Sequence, residues 1–340
     1  MHDERPQVTV VVTAYNQADV IGNAVRSALG QGGAVSDVVL VDDGSVDDPS
    51  AAVAGLPAVT VVRQSNGGVN AARNTGLQRA EGEFVIFLDG DDELLPDAAA
   101  TGLAHFSAEP DLDFVVGRAR HVDPTGRVVG RSTHRPRGRD IYCPLLRRPW
   151  IYPPGSVMFR TRSIREIGGF DASIAQGGED LELYLRSARL LRGRDHSGLV
   201  VDYRVQGGIT GDATTMADRN LAVLAAQADV VAADPRAARA LAEGRRYLRW
   251  TWGLKRARAG TPGRMAHVRT VGRLAVVLAR DPLRTARAVW DAAADAASRV
   301  FPSRDGLGAY VARDVAGLTP TTSVETPNRR RPGSRSSRPR

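Results

Sequence analysis

The residues of this chain best suited to chemistry gather at Asp89-Gly90-Asp91-Asp92, where the apolar run 84–88 stops abruptly at three carboxylates. Charged side chains are seldom buried unless paired or bound to a cation. Oxygen-rich clusters of this kind suit Mg²⁺ or Mn²⁺, completed by water and phosphate oxygens. Two readings stand side by side: a divalent-cation site or a solvated turn capping the next helix. A second acidic pair, Glu179-Asp180, follows the flexible Gly177-Gly178 and opens a helical pattern over 181–185. On its own it reads as helix capping, because acids at a helix N-terminus contribute about 0.3–1 kcal/mol.

These groups need elements to hold them. Short β-branched runs at 8–13, 38–41, 59–62, 84–88 and 114–116 alternate with Ala-rich helical patterns at 18–29, 69–79 and 96–106. Strand, helix and strand in this order predict βαβ units and a mostly parallel sheet with both faces covered. Ligands bind such sheets at the carboxyl ends of the strands. The residues found there are Ala14, Tyr15 and Asn16, then Asp42 to Ser45, then 64–68, then Asp89 to Asp92. Residues 118–148 are rich in Arg, Pro and Gly and read as a hairpin or loop. Further strands are expected at 155–159 and 199–205 and a helix at 180–191. Beyond 210 the pattern is helical only, with an amphipathic stripe from Leu283 to Val300 that should pack on the body.

Composition narrows the class. With 340 residues and 42% hydrophobic content, the chain can bury one large core with a helical appendage. The formal charge of +8 is concentrated at one end. Arg329, Arg330, Arg331, Arg335, Arg338 and Arg340 supply six of those charges, leaving +2 for the rest. No specific nucleic-acid partner is expected of so neutral a body. The Pro/Ser/Arg tail is of disordered composition and has three uses in view: none, attraction to an anionic membrane surface, or polyanion contact. Cys143, the only cysteine, excludes an internal disulfide framework. The polar segment 1–7 lacks a signal-peptide pattern, and no run approaches the ~20 apolar residues of a membrane span. The expectation is a cytoplasmic protein, with peripheral contact at the inner face of the cell membrane as its variant.

Five motifs taken together go further. Val11-Val12-Thr13-Ala14-Tyr15-Asn16, Val41-Asp42-Asp43-Gly44-Ser45, Asn66-Gly67-Gly68 with Ala72-Arg73-Asn74-Thr75-Gly76, Phe87-Leu88-Asp89-Gly90-Asp91-Asp92, and Gly177-Gly178-Glu179-Asp180 resemble, in order and spacing, the signature of family 2 glycosyltransferases. The resemblance covers roughly residues 7–210. It implies an α/β GT-A fold, Rossmann-like, with a mostly parallel mixed sheet flanked by helices. A catalytic domain would occupy 1–210, a helical extension 211–305 and the basic tail 306–340. It further implies transfer of a sugar from a nucleotide diphospho-sugar, a UDP-sugar first among them, to the hydroxyl of a saccharide or lipid-linked acceptor, with inversion.

Carried onto this chain, the resemblance gives each residue a task. Tyr15 would lie against the base with the Thr13 and Ala14 backbone and Asn16 at its edge, while Asp42 or Asp43 accepts a ring N–H. Arg73 would reach the base or the diphosphate. Asp91 would bind the cation, with Asp89 and Gly90 beside it at the ribose or metal shell. Asp180 becomes the base that takes the acceptor's proton. Trp150, Glu179 and Arg204 are candidates for the sugar or acceptor side. A late His, frequent in the family, is absent; Arg204 or Gln206 would replace it. Two other readings compete: a nucleotidyltransferase, which would more naturally carry a Gly-rich basic loop after its first strand, and a non-catalytic binder of nucleotide-sugars or polyanions.

Overall fold

The computed structural model describes residues 8–132, 139–174, 176–205 and 213–259. Nine strands form one sheet: β1 (Val8–Ala14), β2 (Val35–Asp42), β3 (Val59–Arg63), β4 (Phe84–Asp89), β5 (Glu93–Leu94), β6 (Phe114–Val122), β7 (Val128–Arg131), β8 (Val157–Arg160) and β9 (Gly193–Arg204), in the order β3-β2-β1-β4-β8-β6-β9-β5 with β7 on β6. The pairs β2/β3, β1/β2, β1/β4 and β6/β9 are parallel. Strand β8 runs against both β4 and β6, which restores β6 and β9 to the direction of β1. The carboxyl ends of β1, β2, β3, β4, β6 and β9 therefore share one edge, and the residues that enter β8 arrive at that same edge.

Alternate residues of each strand feed two cores, as the two-residue side-chain period requires. Val11, Val39, Val41, Val85, Phe87, Phe114, Val116 and Phe159 face one way. Val10, Val12, Val38, Leu40, Ile86, Leu88, Val115 and Met158 face the other. On the second face lie α1 (Ile21–Leu29) and α3 (Ala98–Ala108). On the first lie α2 (Val69–Arg79), α4 (Tyr142–Arg147), α5 (Thr161–Glu166), α6 (Glu179–Leu190), α7 (Ala213–Ala226) and α8 (Pro235–Ala259). Val223, Leu224, Ala240, Leu241 and Leu248 of the last two helices join the core that holds Phe87 and Leu183, so this part of the C-terminal segment shares the sheet's own core.

Helix α2 coincides with the expected 69–79. Segment 118–148 resolves into the end of β6, the antiparallel β7 and α4, so the hairpin reading applies to its first part. Strand β9 begins at Gly193, six residues before the expected start. Among the described residues no helix is long and apolar enough to cross a membrane. The amphipathic stripe from Leu283 to Val300, residue Gln206 and the basic tail lie outside the described residues.

Candidate active site

The first strand end is stitched to the second. The Asn16 backbone N–H donates to Ser45 Oγ at 2.9 Å, and Asn16 Oδ1 accepts from the Val46 N–H at 2.8 Å. Asn16 is left-handed at φ 55°, a conformation Asn tolerates. Thr13 and Ala14 are buried at the strand end, whereas Tyr15 is 50% exposed, so Tyr15 is no core aromatic. Its ring stands at the sheet edge where a planar base could lie.

Asp42 and Asp43 are both buried and both committed. Asp42 Oδ1 accepts from the Ser45 N–H at 2.9 Å, the turn-forming role expected of Asp before Gly-Ser, and Oδ2 meets Arg63 at 3.3 Å. Asp43 Oδ1 accepts from Gln64 Nε2 at 2.8 Å and the Gly67 N–H at 2.9 Å, and its Oδ2 accepts from the Gly68 N–H at 2.9 Å. Asp43 thus fastens the loop before α2 to the end of β2. The turn these acids build is the first thing they do, and a ring N–H would be an added partner.

Arg73 occupies the centre. It lies on α2, only 3% exposed, and donates through Nη2 to Asp89 at 2.7 Å and through Nη1 to Asp180 at 2.9 Å. Glu179 Oε1 stands 3.8 Å from Nη1, and the Phe170 ring lies 5.1 Å from the guanidinium carbon. Both arms of its fork hold the acids of β4 and α6. The physical reason is α2's tight approach to β1, where a side chain on Gly76 would sit 2.1 Å from Val11 Cγ1. That approach carries Arg73 beneath the sheet edge. Burial would lower its pKa, but Asp89, Asp180 and Glu179 outweigh burial and raise it. Its Nε–H is buried without a hydrogen-bond partner.

Asp180 keeps 31% of its side chain exposed within this crevice. Burial is the main cause that pushes its pKa up to about 7; Arg73 pulls it down, and Glu179 and Asp89 push it up again. Glu179 turns back on its own helix: Oε2 accepts from the Gly178 N–H at 2.8 Å and also from Gly177. The capping reading therefore describes Glu179 and leaves Asp180 to the crevice.

In the acidic loop, Gly90 is required by space. A side chain there would lie 2.7 Å from Gln17 Oε1 and Ile21 Cδ1 and 2.9 Å from the Thr13 carbonyl. Asp92 is buried at 1% exposure, and its Oδ1 accepts from the Arg204 N–H at 2.9 Å. Burial, then Asp89 and Asp91, raise its pKa well above the usual range. Asp91 is half-buried, and burial followed by the Asp89 charge raises its pKa. Among the described residues no group of three or more His, Cys, Asp or Glu forms a closed metal cage. Two neighbouring carboxylates with positions left for water and phosphate are nonetheless the donor set hard cations such as Mg²⁺ use.

Arg204 is occupied. Its Nε donates to the Asp91 carbonyl at 3.1 Å and Nη2 to Glu93 at 2.8 Å, so it braces the acidic loop. Trp150 is partly buried and packs against the core that holds Phe87 and Leu183. Three residues escaped the sequence reading. Phe170 lies beneath Arg73. Asn74 pins Phe170 through both backbone groups, at 2.8 Å to its carbonyl and 2.9 Å from its N–H. Arg219 of α7 lies over Gly177-Gly178, where a Gly177 side chain would come 3.4 Å from its Nη1. The adjacent glycines were the only signal in the sequence, since they mark a close approach.

The sheet order, the strand-end pieces and the acidic loop facing a helix-borne carboxylate define a fold of the GT-A class. Residues 9–168 match the model of glycosyl transferase family 2. The succinoglycan biosynthesis protein ExoO of Rhizobium meliloti is 45% identical over 98 residues, 28% of each chain. The chondroitin synthase of Escherichia coli is 30% identical over 185 residues, 53% of this chain and 26% of that protein. This chain thus spans little more than a quarter of the length of these two relatives. Among solved structures, the mannosyltransferase PcManGT of Pyrobaculum calidifontis with GDP-Man and Mn²⁺ gives a TM-score of 0.57 at 22% identity over 88% of both chains. S. aureus TarS 1-349 with UDP-GlcNAc gives 0.55 at 20% identity over 72% of this chain and 73% of that one. At these identities the likeness is one of fold.

Proposed function

We propose that this chain transfers a sugar from a nucleotide diphospho-sugar to an acceptor hydroxyl by inverting displacement, in the synthesis of a polysaccharide or glycoconjugate. The observation that carries the reading is Asp180. Its carboxylate opens α6 in the crevice and is bridged by Arg73 to Asp89 of the acidic strand end, and burial pushes its pKa up to about 7, the range that suits a general base at neutral pH. The family supports the reaction type. The solved relatives bound to UDP-GlcNAc and to GDP-Man with Mn²⁺ support the donor class.

In this reading Tyr15 carries the base, with the Thr13 and Ala14 backbone at its edge. Asp180 takes the proton of the acceptor hydroxyl as that oxygen attacks the anomeric carbon. The bond from that carbon to the diphosphate breaks, and its electron pair leaves with the nucleoside diphosphate. Asp91 and Asp89 would hold a divalent cation, which when bound neutralises charge on the departing diphosphate. Arg73 keeps Asp180 ionised and aimed, and Arg204 holds the acidic loop in place. Work at the cytoplasmic face of a membrane belongs to the same reading.

The test is nucleoside diphosphate release from a panel of UDP-, GDP- and dTDP-sugars, with Mn²⁺, with Mg²⁺ and with chelator, in wild type, Asp91→Asn and Asp180→Asn. Release that needs a cation and Asp91, and falls about 10²- to 10⁴-fold without Asp180, is the expected result. Donor binding without turnover under every condition would instead favour the binding-protein reading. Undiminished release in chelator would remove the cation.

A further inference from the structure

Charge divides this chain sharply. Residues 1–234 carry 23 Arg and no Lys against 31 Asp and Glu, a net of −8, whereas 235–340 carry 22 Arg and Lys255 against seven acids, a net of +16. The +2 that remains without the six tail arginines is therefore the sum of an acidic body and a basic C-terminal part. The boundary falls at the start of α8, whose 25 residues hold eight cations and one acid, Glu243. The donor chemistry uses none of them.

Packing fixes which way α8 is turned. Ala237, Ala240, Leu241 and Leu248 are buried in the core that holds Leu183, and a side chain on Gly244 would collide with the Leu146 carbonyl, so α8 rests on α4 with no room to roll. At 3.6 residues per turn the opposite side carries Arg239, Ala242, Arg246 and Arg249 in one band, and all four are exposed. Arg245 and Trp250, both half-buried, border that band. Glu243 is taken by Arg147 at 2.9 Å and by Arg239 at 3.1 Å. Among the described residues no carboxylate pairs with Arg245, Arg246 or Arg249, so a positive ridge faces solvent without an internal counter-charge.

The shape of the ridge selects its partner. A single-stranded polyanion is held in a groove with aromatic platforms, whereas the outer side of a straight helix is convex and meets a flat array of negative headgroups along its length. The apolar side of α8 is spent on the core, so contact would be electrostatic and superficial, with Trp250 at its border suited to the level of the headgroups. The net −8 of residues 1–234 repels the same negative surface and confines contact to this side. We propose that the Arg239, Arg245, Arg246 and Arg249 ridge of α8, bordered by Trp250, docks this chain on an anionic lipid bilayer. The inference goes beyond the glycosyl-transfer reading by giving the membrane contact a folded surface and named residues.

The experiment is co-sedimentation of the full chain with vesicles of phosphatidylcholine alone and with about one third phosphatidylglycerol. Wild type should bind only the anionic vesicles and should be released as salt rises from about 0.1 M to 1 M, where screening shortens from about 10 to 3 Å. Each arginine held at such a surface contributes about fivefold in affinity, so the triple variant Arg245→Gln, Arg246→Gln, Arg249→Gln should bind about 10²-fold more weakly. The matching triple Lys variant keeps the charge and should stay within about threefold. Nucleoside diphosphate release from soluble substrates should be the same in all three proteins, because the ridge lies outside the donor site.

Undiminished vesicle binding in the triple Gln variant overturns the inference, and loss of binding only in a variant with Arg329, Arg330 and Arg331 changed to Gln would move the contact to the tail. Wild type that ignores anionic vesicles overturns it as well, whether it then binds heparin, as a polyanion partner requires, or self-associates through the same arginines. Should the triple Gln variant fail to fold, the single variants Arg246→Gln and Arg249→Gln, each expected to lose about fivefold, decide. Sedimentation needs no turnover, so failure of glycosyl transfer and failure of this inference are separate results.

Discussion

Replacing Arg73 by Gln tests the centre of the site. Arg73 lies 2.9 Å from Asp180 and 2.7 Å from Asp89, and its charge favours the ionised form of Asp180. Opposite charges about 4 Å apart at an effective dielectric of 20 interact by roughly 4 kcal/mol, and an adjacent Arg lowers an Asp pKa by about 1–3 units. A base must be deprotonated to act, so the acid limb of kcat/KM in wild type should rise through pH about 7. In Arg73→Gln the limb moves up by about 1–3 pH units, and the ionised fraction at pH 7 drops from about half to between about 10% and 0.1%. At pH 7 kcat/KM should fall about 5- to 500-fold and recover as pH rises. Arg73→Lys keeps the charge but loses the fork, so its limb should lie between the two. The assay is nucleoside diphosphate release across pH 5.5–9.5 with cation and donor fixed. A loss equal at every pH would refute the reasoning and return Arg73 to the donor; an unmoved or lowered limb would refute Asp180 as the titrating base. Stability should also fall by about 3–5 kcal/mol, because removing one partner leaves buried charge uncompensated.

Other expectations follow from the supports. Asn74→Ala breaks two hydrogen bonds to the Phe170 backbone and should cost about 1–3 kcal/mol in urea unfolding, with kcat falling more than donor KM because Phe170 lies beneath Arg73. Gly76→Ala forces a methyl to within 2.1 Å of Val11 Cγ1, a stiff side chain at 0% exposure, and should lower stability by about 1–3 kcal/mol. Burial, followed by His105 stacked at 4.5 Å, lowers the pKa of His196 to about 4, so the folded chain keeps it neutral where the unfolded chain, titrating at 6.5, protonates. That contribution is complete above pH 6.5 and is lost as pH falls from 6.5 to about 4. His196→Asn should flatten the decline of the urea midpoint over this window, and an unchanged slope would show that His196 does not cause it.

The sequence displays the parallel half of this fold well because each strand there is an unbroken β-branched run: β1, β3 and β4 lie within a residue of their expected bounds. It displays the other half poorly for a physical reason. Residues 193–198 are Gly-Arg-Asp-His-Ser-Gly, with no apolar alternation, and they extend as part of β9 because β6 supplies ladder partners to Gly193, Arg194 and Asp195 before a register shift. Helices α4 and α5, of six residues each, are too short for a 3.6-residue period to show. In the site, Asp42 reveals its turn because its partner Ser45 is three residues away. Arg73 does not reveal its partner, because Asp180 is 107 residues away and only the packing of α2 on β1 brings them together.

The two arginines sort the acids, and the sorting sharpens the case for a cation. Five carboxylates, Asp89, Asp91, Asp92, Glu179 and Asp180, crowd one strand end and one helix start. Arg73 takes Asp89 and Asp180 with Glu179 beside them. Arg204 gives its N–H to Asp92, its Nε to the Asp91 carbonyl and Nη2 to Glu93. Burial and the Asp89 charge raise the pKa of the Asp91 carboxylate, and the nearby Arg204 charge lowers it without reversing that rise. An acid left half-buried beside a like charge is costly unless it is protonated or bound to a cation. A divalent ion shared with phosphate oxygens meets that need only when the donor is present. Donor affinity should therefore depend on the cation, with Asp91→Asn removing that dependence in equilibrium binding of the nucleoside diphosphate. Equal cation dependence in the variant would place the ion elsewhere.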